Sequence, residues 1–297
     1  MSNEKNNLIL KYGLIIVMLC FIISTVYYMQ FSLDEFVFLK HYYERDIHDG
    51  SYMNIHFIKN TADNRKIIEI KFPEMPNEFA SVFLNDFSNG FNNGYYRTEE
   101  FAHYMYNELV IEFRYNDINY SEEGNEESNE ESIILNKAVI VLNNGDEQEV
   151  DIGKIVLHKN MNYYDFLETS SSSSSNDFTS TSVMTPIKDV VIDSIESNLD
   201  GEANGFMELT LNGVKIEDIN FPLKLNSDDS LVFNNTFLYN TKDTRKYNVY
   251  DIQKRILVTD SEGNKGYETI HNLDYYPIEI FLSEKGIGDF LKYRGVK

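Results

Sequence analysis

The chain has 297 residues, with 48 acidic against 26 basic side chains, a formal net charge of −22, one cysteine and no tryptophan. That charge argues against nucleic acid as a partner, because phosphates need lysine and arginine to neutralise them, and against lying flat on anionic lipid. Hydrophobic residues make up 42% of the chain and aromatic ones 14%, so packed cores are feasible and wholesale disorder is not expected.

No charge falls between Lys11 and Asp34. As a helix, residues 12–33 span roughly 33 Å, close to the ~30 Å hydrocarbon core of a bilayer. Tyr12, Tyr27 and Tyr28 suit the interfacial aromatic belts, and Lys11 can snorkel to the headgroups. A buried helix of a soluble domain rarely runs this long without a polar face, so residues 12–33 are predicted to be a transmembrane anchor. A signal peptide has a shorter apolar region closed by a pair of small residues. Here bulky side chains fill most of 21–33, and Leu19 before Cys20 breaks the lipoprotein pattern. The anchor is therefore expected to stay attached. Lys5, Lys11 and the terminal amine predict a short cytoplasmic tail over 1–11 and an extracytoplasmic remainder. The expected location is the cell membrane, single-pass, in a bacterial cell.

Cys20 lies inside that segment, so the remainder can hold neither an intrachain disulfide nor a thiolate metal site. It must be stabilised by its cores alone, as is more usual for bacterial surface proteins than for eukaryotic secreted domains.

Past the anchor, Ser32-Leu33-Asp34-Glu35 reads as a capping box, and residues 35–44 fit a helix and a strand equally. From Tyr52 the period becomes two. Residues 52–58 and 66–72 flank a polar turn at 61–64 and predict a hairpin, with Pro73 and Pro76 ending its second strand. Residues 86–94 form a loop by their Asn-Gly pairs, and 107–115 another strand. Residues 121–132, with six glutamates, predict a solvated excursion. Residues 133–142 and 147–157 flank Asn143-Asn144-Gly145-Asp146, the strongest hairpin signal in the chain, because Asn and Gly tolerate positive φ.

Residues 169–182 hold eleven Ser or Thr in fourteen positions and predict a flexible linker. Further strands are expected at 190–195, 206–211, 230–239, 247–259, 266–270 and 278–282, with turns at Asn212-Gly213 and 260–264. Residues 286–293 form a closing segment of open type. Short strands with frequent turn signals favour β-sandwiches over α/β folds. The fold expected is all-β: a single transmembrane helix followed by two antiparallel β-sandwich-like domains, residues 34–165 and 183–297, with a Ser/Thr-rich linker over 166–182.

Chemistry is hard to find. The six histidines, His41, His48, His56, His103, His158 and His271, form no HExxH or other close ligand pair. There is no GxSxG, Walker or dinucleotide motif. Asp260, Glu262 and Asn264, together with Asp228-Asp229, are oxygen-rich, yet the glycine and glutamate that an EF-hand needs are Lys265 and His271 here. Ordinary Asp/Asn/Gly turns account for both. The tyrosine pairs Tyr42-Tyr43, Tyr95-Tyr96, Tyr163-Tyr164 and Tyr275-Tyr276 fit sheet faces and cores as well as a binding surface. No catalytic or cofactor-binding residue and no cofactor is expected. The function expected is a non-catalytic binding or envelope-interaction module, its partners the bilayer through 12–33 and an envelope component or protein. The alternative is a calcium-dependent surface or adhesion protein, and an unrecognised enzyme comes third.

Overall fold

A computed structural model of the chain describes residues 2–47, 51–75, 81–84, 95–114, 131–159 and 165–297. The expected loop at 86–94, the glutamate run over 121–130, His48 and Tyr163-Tyr164 lie outside them. Helix α1 (Ser2–Phe31) opens the fold. Its segment Leu10–Phe31 has a mean hydropathy of 2.1, is long and apolar enough to cross a membrane, and packs on nothing else in the protein.

Strands then follow as β1 (Val37–Phe38), β2 (His41–Ile47), β3 (Ser51–Asn60), β4 (Ile67–Lys71), β5 (Ser81–Leu84), β6 (Tyr95–Glu100), β7 (Tyr104–Arg114), β8 (Glu131–Leu142) and β9 (Glu147–Lys159). The second half holds β10 (Leu167–Ser174), β11 (Thr179–Pro186), β12 (Val190–Glu196), the short helix α2 (Asp200–Ala203), β13 (Met207–Leu211) and β14 (Val214–Lys215). It continues with β15 (Leu223–Leu225), β16 (Leu231–Phe237), β17 (Val249–Asp260) and β18 (Lys265–Tyr275), and closes on α3 (Ile278–Phe281) and α4 (Glu284–Tyr293). The described chain is mostly β, in three sheets.

Strands β1, β3, β7, β5 and β6 form the first sheet, and β10, β11, β16, β13 and β14 the second. The third runs β15-β12-β17-β2-β9-β8-β4, with β18 also on β17. Successive side chains on a strand point to opposite faces, and this sheet uses both. Tyr43 and Ile155 enter a core under the first sheet. Their neighbours Tyr42 and Val156 pack into a separate core under the second sheet. Two sandwiches thus exist, as expected, but they share one sheet.

The join is parallel: β2 pairs with β9 over His41–Ile47 and with β17 over Val249–Ile252. The expected topology was antiparallel throughout, and the difference needs one special position. Gly153 sits opposite His41 at φ +99°, where a Cβ would stand 2.4 Å from the His41 carbonyl oxygen. Only glycine fits that close approach.

Four local expectations are corrected. Residues 32–35 do not start a helix; the chain bends there and residues 37–47 are strands, because Phe36, Phe38 and Leu39 are needed in the first core. The strands around 61–64 do not pair with each other: β3 lies on β7 and β4 on β8, in different sheets. Residues 278–281 are helix instead of a last strand. Pro277 starts it, a position where its fixed φ and missing N–H suit a helix, and Phe281 stacks on Tyr106 at 5.2 Å. Finally, the serine-rich segment is a hairpin, β10 on β11. Strand β10 is an exposed edge, while β11 buries every second residue, Ser180, Ser182 and Met184 among them. Ser180 donates to the Asn272 carbonyl at 2.7 Å, so a small hydroxyl is satisfied where a linker reading had it in water.

Candidate binding groove

The histidines scatter, as their spacing implies. His41 and His56 are buried between the first and third sheets, with His41 accepting from the His56 backbone N–H at 2.9 Å and His56 sharing a 2.7 Å bond with Tyr106. Burial, then the neighbouring His56, pushes His41 well below the usual imidazole range, so this pair is a neutral, sealed packing element. His271 is exposed on β18. His103 stacks on Phe31 at 4.0 Å and bonds Glu284.

His158 belongs to the one buried carboxylate cluster with several partners. Strand β18 covers one edge of β17, and β2 and β12 share the other end to end. Glu44 closes the seam between them. It accepts from His158 Nε2 at 2.9 Å, from the Asn198 amide at 2.9 Å and backbone N–H at 3.0 Å, and from the Ser197 hydroxyl. Burial pushes its carboxyl up, but these bonds outweigh burial and hold it below the usual range. A hydrolytic triad needs the base beside the hydroxyl. Here the carboxylate stands between Ser197 and His158, an arrangement suited to fastening strands.

The oxygen-rich turns are also occupied by their own chain. The Asp260 carboxylate, with a fully buried side chain, accepts from Lys188 Nζ at 2.6 Å, Glu262 N at 2.9 Å, and Asn264 N and Nδ2 at 2.8 Å. Lys188 above all lowers its pKa. Asp229 accepts from Asn226 N at 2.7 Å. Among the described residues no group of three or more His, Cys, Asp or Glu could hold a metal ion.

The open concave feature is a groove of about 530 Å³ beside the second core. Ile195 of β12 and Leu209 of β13 form its apolar walls, with Ile216 and Phe221 across from them. Lys254 lies on its floor. Along β17 the residues facing the second core are Tyr250, Ile252, Lys254, Ile256 and Val258, so a lysine interrupts an apolar stripe. That interruption is legible in the sequence, although sequence reasoning did not single it out. Lys254 is 7% exposed and pairs with Asp200 of α2. On the rim, Lys215 pairs with Glu208, and Glu217 adds a further carboxylate.

Helix α1 meets the β-rich head through a polar collar. Asn60 accepts from the Leu33 N–H at 2.5 Å and donates to the carbonyls of Phe31 at 2.8 Å and His103 at 3.0 Å. Lys297 Nζ donates to the carbonyls of Gln30 at 2.5 Å and Ser32 at 2.8 Å. The last carbonyls of a helix lack internal partners, and a cation there is favoured by the helix dipole.

No family model matches the chain, and no curated protein matches it. Among solved structures it is similar to a protein of unknown function from Porphyromonas gingivalis W83, at 8% identity over 79% of this chain and 96% of that one, with a TM-score of 0.23. It is also similar to the YadV chaperone, at 9% identity over 80% and 99% with a TM-score of 0.19. A third is BcpA, the major pilin subunit of Bacillus cereus, at 12% identity over 80% and 65% with a TM-score of 0.15. At such scores none of these likenesses bears on function. What the chain's own residues define is an all-β head following one long apolar helix.

Proposed function

We propose that the protein is a membrane-anchored binding module without a catalytic centre, its β-rich head displayed on the extracytoplasmic face. The observation that carries this is the exposure of the apolar segment Leu10–Phe31. In water such a helix would leave a large apolar area solvated, at about 25 cal/mol per Å², and a bilayer removes that cost. The collar at Asn60 and Lys297 supports a head held firmly on its anchor. The net charge of −22 favours the face away from the anionic cytoplasmic leaflet. The sealed His41–His56 pair and the blocked Ser197–Glu44–His158 order support binding over catalysis, while the filled Asp260 carboxylate speaks against calcium dependence.

The test is fractionation and protease treatment of intact cells or spheroplasts. The full-length chain should need detergent for release, and external protease should digest its C-terminal region. A mature soluble form starting near residues 25–35 would overturn the anchor, and full protection in sealed cells would reverse the orientation.

A further inference from the structure

Resting on that binding-module reading, we propose that the groove captures the C-terminal end of a partner polypeptide, adding it as a short strand beside Leu209 with its carboxylate on Lys254. Three independent features of the groove converge on this occupant.

The first is an open strand edge. Asn212 and Gly213, at φ 51° and 82°, make the two-residue turn from β13 to β14, so Leu211 and Val214 are the bonded pair at its base. The Asn212 N–H donates in the other direction, to Val232 of β16 at 2.8 Å. Main-chain groups alternate direction along a strand, so those of Leu209 point away from β16, like those of Leu211. Strand β14 ends at Lys215 and the chain turns into a 3₁₀ segment at Ile216–Asp218. No strand stands opposite Leu209, and an extended segment can bond there, as in strand-addition modes of peptide recognition.

The second is the ammonium on the floor. A lysine has three donors, and the partner the structure gives Lys254 is the half-exposed Asp200 carboxylate. A buried cation calls for further pairing, and a chain-terminal carboxylate is the group that ends a strand with charge. The third is patterning. Apolar walls at Ile195, Ile216 and Phe221 suit inward side chains at every second position, while Glu208 and Glu217 on the rim, within a strongly acidic protein, favour lysine or arginine at the outward ones. The expected ligand is therefore a short extended tail of alternating apolar and basic residues, ending in an apolar residue with a free carboxylate.

The test uses the full chain in detergent micelles. Its probes are an acetylated hexapeptide alternating lysine and valine that ends in a free phenylalanine carboxylate, and the same peptide as a C-terminal amide. The free acid should bind at least tenfold tighter than the amide, and it should slow hydrogen exchange at the Leu209 amide. Lys254→Met keeps the volume and should abolish the preference for the acid. Asp200→Asn removes the competing carboxylate, retains an acceptor for the Ser197 N–H it now holds at 3.1 Å, and should tighten binding of the acid. Equal binding of acid and amide, or an unchanged preference in both variants, overturns carboxylate capture. Binding with no protection at Leu209 overturns strand addition. If neither peptide binds, the groove proposal fails while membrane attachment, read separately by fractionation, stands.

Discussion

His158 donates its Nε2 hydrogen to Glu44 at 2.9 Å, and through this contact β9 is fastened to the one place where β2 and β12 leave a gap along β17. Both side chains are at least 95% buried. Removing one partner of a buried pair leaves the other polar group stranded, at a cost of about 3–5 kcal/mol. Glu44→Ala should therefore destabilise the head by about that amount in urea unfolding, and Glu44→Gln by less, since an amide keeps some of the acceptors. An unchanged midpoint in Glu44→Ala would remove the seam from the account of stability.

The same cluster predicts how stability follows pH. Glu44 has a folded pKa below its unfolded value. Its contribution is complete above the unfolded pKa of about 4.3 and is lost as pH falls through the folded one. His41 is also lowered in the fold, so the unfolded chain binds a proton that the folded chain refuses. Stability should begin to fall below about pH 6.5 for that reason, before any carboxylate titrates. Urea midpoints measured from pH 7.5 to 5 should show the early slope, and His41→Gln should flatten it.

Much of the fold could be read from residue pattern. Alternation located most strands within a few residues, and Asn143 to Asp146 produced the β8–β9 turn, with Gly145 at φ +89°. Pairing was less legible, because a strand's period says which face is buried and nothing about its neighbour. β3 and β4 have good hairpin patterns, yet the long β7 and β8 outcompete the local partner. Composition misled at Thr169 to Ser182, where serine reads as solvent but a buried hydroxyl with a carbonyl partner serves as a strand residue. For the groove, Lys254 within its apolar stripe was visible, but Leu209 owes its role to where β14 stops, which no local rule supplies.

The hairpin leads to a third expectation. The cores sit on opposite faces of one sheet, and that sheet takes strands from both halves of the chain. A protease site inserted between Asn176 and Asp177, in the β10–β11 turn, should be cut without separating the pieces in gel filtration under native conditions. Residues 34–165 and 183–297, expressed alone, should each lack a cooperative unfolding transition. Two independently melting fragments would restore the linker and the separate domains.

Calcium gives a fourth. A ligand that binds only the native state raises the melting temperature by mass action. The Asp260 lone pairs are already used by Lys188, Glu262 and Asn264, so millimolar calcium should leave Tm unchanged in wild-type protein. A rise of several degrees that Asp260→Asn abolishes would establish a cation site at this turn.

The last expectation concerns how the head is held on its helix. Asn60 is the single side chain that bonds both sides of the junction, accepting from Leu33 N–H and donating to the Phe31 and His103 carbonyls. Lys297 bonds the same stretch of backbone from another direction. Neither contact lies in a core, so their loss should loosen the junction and leave the sheets intact. Asn60→Ala should cost about 1–2 kcal/mol, the value of half-buried hydrogen bonds left unmade. Its larger effect should be local: faster hydrogen exchange at Leu33 and faster cleavage near residues 31–35 in the membrane-bound protein. Lys297→Ala should do the same more weakly, since water can reach those carbonyls. Unaltered exchange at Leu33 in the double variant would mean that Phe31 stacking on His103 holds the joint alone, and His103→Ala would then be the substitution that frees the head.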